Sequence, residues 1–257
     1  MLLENRRALV TGASSGIGRA TAVRFAREGA AVAVNYVGAA AEADADAVVA
    51  EITAAGGTAM AVAADVGDEG QVKAMVEAVV ARLGGVDILV NNAGIEHEVP
   101  TLDMELDQWE RVLRVNLTGA FLCMREVARR MVAAGGGGVV VNMSSVHEHI
   151  PWPGFADYCA SKGGLRMLTQ TVAREWAEHR IRVLAIAPGA ISTPINSGVL
   201  ADPTQRHAVE AEIPLGRFGT AEEIAAAVAW ACSDEAAYVT GTTIVVDGGM
   251  TLYPRFV

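Results

Sequence analysis

Cationic residues are in short supply: 20 Lys and Arg stand against 30 Asp and Glu, a formal net charge of −10. A protein that grips a phosphate backbone needs a concentrated basic face, so nucleic acid is excluded as an expected partner. Long apolar runs are missing too. Gly and charged residues interrupt each one short of the roughly 18 residues that cross a bilayer. The start, Met1-Leu2-Leu3-Glu4-Asn5-Arg6-Arg7, carries neither an apolar leader nor a cleavage pattern. No membrane is expected, and the expected setting is cytoplasmic. Cysteine is limited to Cys123, Cys159 and Cys232, odd in number and without CxxC spacing. That argues against a disulfide framework and a zinc site, so no metal is expected and the thiols read as buried bystanders in a reducing compartment. Aromatics are few, while Ala, Gly and Val abound, which suits closely packed helices and strands.

What is present is a repeating alternation. Short β-branched runs at 8–10, 31–34, 59–62, 86–90, 139–143, 181–186 and 244–246 read as seven strands. Alanine-rich helical stretches fall between them, near 17–28, 40–55, 68–83, 105–133, 155–178 and 221–232. Continuous apolar strands are buried on both faces, so the expectation is an α/β fold: a mostly parallel, seven-stranded, doubly wound sheet with helices on both faces. Such folds routinely run to this length undivided, and 1–257 is read as one domain. Leu165, Leu168, Val172 and Trp176 recur at helical steps and form a structural stripe. The breaker-rich segment at about 190–214 follows the sixth strand, at the sheet edge where ligands bind, and is read as a substrate lid.

Thr11-Gly12-Ala13-Ser14-Ser15-Gly16-Ile17-Gly18 joins the first strand to the first helix. Glycines allow a sharp turn and close approach of the backbone to a pyrophosphate, and the helix N-terminus offers amide donors and a positive dipole end. A dinucleotide site is expected there.

The Gly-x3-Gly-x-Gly spacing resembles the classical short-chain dehydrogenase/reductase family. So do Asn91-Asn92-Ala93-Gly94 after the fourth strand, Asn116, Ser145 after the fifth strand, Tyr158-Cys159-Ala160-Ser161-Lys162, and Pro188-Gly189 after the sixth. These motifs stand in the family's order and span nearly the whole chain. The resemblance implies a Rossmann-type fold, a nicotinamide cofactor and a catalytic set of Asn116, Ser145, Tyr158 and Lys162. Tyr158 and Lys162 lie one helical turn apart. A nearby ammonium favours phenolate, so Tyr158 is the expected proton acceptor during alcohol oxidation. Ser145 is preferred over Ser144 as the hydrogen-bond donor to substrate oxygen, and Asn116 is implied to hold a water in a relay from Lys162. Gly12, Ser14, Ser15, Gly16, Ile17 and Gly18 would cradle the cofactor. Asn92, Ala93, Gly94, Pro188, Gly189, Ile191 and Thr193 would support it, with Asn35, Tyr36, Asp65 and Val66 toward the adenosine end. The second strand ends Asn35-Tyr36-Val37, with neither an acidic residue for a ribose diol nor an arginine for a 2′-phosphate. The reading is NAD or NADP, leaning to NAD.

A closer resemblance, to bacterial glucose 1-dehydrogenases, is carried by 142–153, by 189–196 and by the ending that begins Asp247-Gly248-Gly249. It implies a sugar or alcohol substrate, with C1 of glucose as the reacting centre. Glu96, Ser145, His147, Asn196 and Asp202 would bind it. Val37 stands where those enzymes have an arginine, and Asp157 and Cys159 flank the tyrosine unfamiliarly. Two other readings stay open: a 3-oxoacyl carrier-protein reductase or related carbonyl reductase, and a non-catalytic dinucleotide-binding protein. The family implies a homotetramer, paired through the long helices before and after the fifth strand; the apolar helix faces and a 252–257 tail able to reach a neighbouring subunit are compatible with it.

Overall fold

A computed structural model describes residues 1–252, and the chain alternates strand and helix through most of that length. In order come β1 (Arg7–Val10), α1 (Gly16–Arg27), β2 (Ala31–Tyr36), α2 (Glu42–Ala54), β3 (Thr58–Ala63), α3 (Glu69–Leu83) and β4 (Ile88–Asn91). Then follow α4 (Leu106–Leu113), α5 (Ala120–Ala134), β5 (Gly138–Met143), α6 (Ala156–Trp176) and β6 (Ile181–Pro188). The last part holds β7 (Ile191–Ser192), α7 (Ser197–Ala201), α8 (Pro203–Glu212), β8 (Gly219–Thr220), α9 (Ala221–Cys232) and β9 (Thr243–Val246).

Seven strands form one sheet in the order β3-β2-β1-β4-β5-β6-β9, and every pairing is parallel. The fold is Rossmann-like. The central strands are buried along nearly their whole length, whereas the edge strands β3 and β9 are half-exposed. Helices cover both faces and give two cores. Phe25 of α1, Ile52 of α2 and Val228 of α9 pack on one face, and Met75 of α3, Met124 of α5 and Val172 of α6 on the other. Chain order runs outward from β1 in one direction and from β4 in the other. The loops after these neighbours therefore diverge and leave a crevice at their carboxyl ends.

Two features depart from the sequence expectation. The helix expected at 105–133 is interrupted: Arg114–Gly119 forms a π-helical turn between α4 and α5. Such insertions mark places where a side chain is re-aimed, and this one contains Asn116. The expected lid, between β7 and β8, is itself built of α7 and α8, neither of which buries a residue. Among the described residues no helix is long and apolar enough to cross a membrane. The expected contact of the C-terminal tail with a neighbouring subunit falls, beyond Leu252, outside the described residues.

Candidate functional site

The crevice is a cleft of about 750 Å³ opening at the carboxyl ends of the strands. Its floor begins with the turn after β1. Gly12 and Gly16 have φ of +60° and +54°, which L side chains rarely adopt. A Cβ on Gly12 would stand 2.9 Å from the Ala93 Cα, and one on Gly18 would meet the Gly12 carbonyl. Gly18 accordingly packs α1 against the loop and does not line the cleft. Ser15 precedes α1 in an extended conformation and makes no side-chain cap, so the first amides of the helix are left to face the cleft. This small-residue cradle at a helix N-terminus fits a pyrophosphate.

Two side-chain amides, half-buried Asn92 and buried Asn35, fix the cradle from beneath. Asn92 donates through Nδ2 to the carbonyls of Thr11 and Gly12, at 2.9 and 3.0 Å. Asn35 was expected to contact cofactor, and here its side chain is wholly engaged by backbone. Oδ1 accepts from the Gly12 amide at 3.2 Å, while Nδ2 donates to the carbonyls of Tyr36, Val62 and Ala64. Its role is to pin the glycine turn to β2 and β3. Tyr36, Asp65 and Val66 also lie outside the residues lining the cleft. They sit together at the neighbouring sheet edge, where the Ala64 amide donates to the Tyr36 carbonyl at 2.9 Å. Asp65 closes a local turn by accepting from the Gly67 amide.

The remaining residues expected at the cofactor line the cleft: Gly12, Ser14, Ser15, Gly16, Ile17, Asn92, Ala93, Gly94, Pro188, Gly189, Ile191 and Thr193. Ser145, Tyr158 and Lys162 meet at its centre. Lys162 is buried and donates through Nζ to the Met143 carbonyl at 2.8 Å. Burial pulls its pKa down to about 8, opposed by the nearby Glu96 and Glu148 carboxylates. Its Nζ lies 5.4 Å from the Tyr158 ring centroid. Burial drives the Tyr158 phenol upward, Glu96 adds to this, and a hydrogen bond with Ser145 opposes it. The Ser144 hydroxyl is taken by Glu148, which leaves Ser145 as the serine facing the phenol. Asn116, presented by the π turn, lies behind this group. Its Oδ1 accepts from the Ile95 amide and its Nδ2 donates to the Ile95 carbonyl, both at 2.9 Å, with Ser161 Oγ at 3.2 Å. It ties the loop after β4 to the helix that carries Tyr158 and Lys162.

Beyond Tyr158 the cleft changes character. His147 stacks on Trp152, with centroids 4.3 Å apart, and Trp152 stacks on Phe155 at 3.7 Å. Both His147 and Trp152 stand edge-on to Tyr158, at 6.4 and 6.1 Å. Ile150, Ile195, Val199, Val209, Phe218 and Met250 continue the apolar lining. The charged residues of the lining are Glu96, Lys162 and Glu212. Burial raises Glu96 above the usual carboxylate range, opposed by Lys162. Burial likewise lowers the His147 pKa and favours the neutral imidazole. Its Nδ1 faces the Ile150 carbonyl at 3.3 Å; a carbonyl can only accept, so the proton sits on Nδ1 and Nε2 is left as an acceptor. Asn196 also lines the cleft, but its amide already donates to the Ile191 carbonyl at 2.8 Å.

Asp202 was expected to read substrate hydroxyls and does not reach the cleft. It caps α8 at the surface, accepting from the amides of Thr204 and Gln205. An Asp before Pro at a helix start is a capping signal, legible in the sequence. Sequence reasoning passed over Trp152, Glu212 and Phe218, because spacing alone does not tell which loop residues face inward. Among the described residues, no group of three or more His, Cys, Asp or Glu is placed to hold a metal ion.

Comparison with known proteins follows the same lines. A family model described as enoyl-(acyl carrier protein) reductase matches residues 12–251. The chain is 51% identical over 254 residues to 3beta-hydroxysteroid dehydrogenase 1 of Eggerthella lenta, covering 99% of this chain and 97% of that protein. It is 43% identical over 253 residues to glucose 1-dehydrogenase 2 of Bacillus subtilis, covering 98% and 97%. Among solved structures, a gluconate 5-dehydrogenase from Burkholderia cenocepacia in complex with NADP and tartrate superposes with a TM-score of 0.92 at 36% identity, covering 98% and 97%.

Proposed function

Because the chain belongs to the classical short-chain dehydrogenase/reductase family of oxidoreductases, we propose that it is an NAD(P)-dependent dehydrogenase acting on a neutral secondary alcohol carried by an apolar ring. The observation that carries the substrate class is the Phe155–Trp152–His147 stack standing edge-on to Tyr158, in a lining whose charged residues, apart from Lys162, are carboxylates. An apolar ring gains by burying its surface against the broad faces and edges of these aromatic side chains. Anionic substrates meet repulsion from Glu96 and Glu212. This also weighs against a phosphate-bearing carrier-protein thioester.

The catalytic residues of this reading are Asn116, Ser145, Tyr158 and Lys162. Ser145 donates a hydrogen bond to the substrate oxygen and Tyr158 accepts the hydroxyl proton. The cofactor, when bound over the glycine turn, supplies the hydride acceptor. The substrate O–H and C–H bonds break, a carbonyl forms, and proton and hydride leave to different acceptors. Lys162 as ammonium offsets the unfavourable burial of the Tyr158 phenolate. Asn116 acts from behind by holding the Ile95 loop. The segment 190–214 is the substrate lid of this reading, and the assembly is a homotetramer.

NAD is the preferred cofactor. Glu42 and Asp44 stand in the first turn of α2, and 36–51 contains no Lys or Arg. The nearby Arg19 is already ion-paired with Glu51. A ribose 2′-phosphate would meet like charge there.

Glucose oxidised at C1 is the second reading, favoured by Glu96 and the Nε2 of His147 in the cleft as acceptors for hydroxyls. The test follows nicotinamide reduction with a 3β-hydroxysteroid, D-glucose, gluconate and, in the reverse direction, an acetoacetyl thioester, each with both cofactors. The expected result is highest kcat/KM for the ring alcohol with NAD. Tyr158→Phe is expected to lower kcat on the order of 10³-fold while still binding cofactor. Faster turnover of glucose would select the second reading, and turnover of neither would overturn both.

A further inference from the structure

One acidic side chain beside the catalytic centre has no part in the scheme above. Glu148 lies in the turn after β5, its side chain fully out of solvent. One carboxylate oxygen accepts from the Ser144 hydroxyl. The other has no hydrogen-bond partner, although His149 Nε2 lies 2.9 Å away and Arg166 Nε 3.7 Å away. Burying an ionised carboxylate is costly unless a cation faces it. Arg166 is one turn beyond Lys162 on α6, so Glu148 rests against the helix surface that carries the lysine.

The two side chains hold the same piece of backbone. Lys162 donates to the Met143 carbonyl at 2.8 Å, and Glu148 holds the next residue through the Ser144 hydroxyl. Ser144 is further fixed by its amide, which donates to the Ile186 carbonyl at 2.7 Å. The following residue is Ser145. We infer that Glu148 is a positioning residue that clamps the Met143–Ser145 strand end, and so sets Ser145, while standing as the buried counter-charge that keeps Lys162 a cation. This rests on the proposed dehydrogenase reading for its catalytic consequence.

The charged and titratable groups around the pair are few. Glu148 is faced by Arg166 from α6 and by His149 from its own turn, and Lys162 has Tyr158 one turn back on α6 and feels the carboxylates of Glu148 and of Glu96 from the loop after β4. Burial lowers Lys162, and the two carboxylates raise it. Glu96 acts on both Lys162 and Tyr158. Removing the Glu148 charge therefore lowers the pKa of Lys162.

The chain has only two lysines, Lys73 and Lys162. Lysine labelled with a heavy-carbon isotope at Cε thus gives two resolvable signals, and Lys162→Met identifies the buried one. In the parent protein the Lys162 signal is expected to titrate near pH 8. Glu148→Gln keeps the shape and removes the charge. It should move that midpoint roughly one unit lower and leave the Lys73 signal in place. The alkaline limb of kcat should move with it, costing roughly tenfold in turnover above pH 8 at unchanged cofactor affinity. Glu148→Asp should restore the titration. An unshifted Lys162 signal in Glu148→Gln with full dehydrogenase turnover overturns the charge pairing alone. A shifted signal in Glu148→Gln, with a parent protein that itself turns over no alcohol, supports the pairing and overturns the dehydrogenase reading. Should Glu148→Gln not fold, Ser144→Ala cuts the tether and leaves the charge: lowered kcat with the parent Lys162 titration supports the clamp, and parent kcat overturns it.

Discussion

Asn35 uses both ends of its amide on main-chain partners from three segments, with no solvent to replace them. Asn35→Ala would leave the Gly12 amide and several carbonyls unpaired in a buried place. The expected cost is about 3 kcal/mol, read as a lower urea midpoint at unchanged slope. Cofactor affinity should fall as well, because the glycine turn loses its anchor. Weakened binding with an unchanged midpoint would instead return Asn35 to direct cofactor contact, as first expected from the sequence. Trp152 supports a different kind of prediction. It is the middle ring of the three-ring stack and lines the substrate end of the cleft. Trp152→Ala should raise KM for a ring alcohol on the order of tenfold, from lost apolar contact of about 1 kcal/mol or more. KM for cofactor should not change. An equal loss with glucose and with the ring alcohol would count against ring recognition.

At the scale of elements, the lid tests what a cap does. Asp202 holds the first turn of α8 through Thr204 and Gln205, with Pro203 opening the helix. Asp202→Ala is expected to speed amide hydrogen exchange in that turn, yet leave substrate KM within about twofold. A large KM change without faster exchange would restore Asp202 as a substrate ligand. The same elements show what the sequence made legible. Seven β-branched runs became the seven strands of the sheet; the five inner ones are nearly uninterrupted apolar because they are covered on both faces, and the half-exposed edge strands β3 and β9 were found by the same β-branched and apolar runs. The glycine turn and the Tyr158–Lys162 pair were visible because each depends on fixed local spacing. The π turn at 114–119 was not, since one inserted residue barely disturbs the apolar period on either side. Nor were the lid helices, whose lack of a buried stripe removes the helical signal. Nothing in the sequence marks Glu148 or Asp157 as enclosed, yet both carboxylates are out of solvent. Their burial follows from how β5 and α6 meet, which no stretch of sequence encodes alone.

At the scale of the whole molecule, the proposed assembly would set two forces against each other. Phe121 on α5, and Met167 on α6 at 62% exposed, turn apolar surface outward on the helices that flank β5. Burying such surface between copies favours association. Each chain also carries a net charge of −10, and like charges resist being brought together. Salt screens the second force and leaves the first largely intact. A homotetramer held through these helices should therefore show a mass four times the 26.7 kDa of the chain at moderate ionic strength. It should dissociate on dilution at low ionic strength, where self-repulsion is felt most. Met167→Glu adds a charge to the outward face of α6 without touching the core. By light scattering it should reduce the mass while the far-ultraviolet spectrum stays that of the parent. A parent protein that remains a monomer at every ionic strength would remove the tetramer. Dissociation driven by added salt, in place of its removal, would mean that ion pairs rather than apolar helix faces hold the copies together.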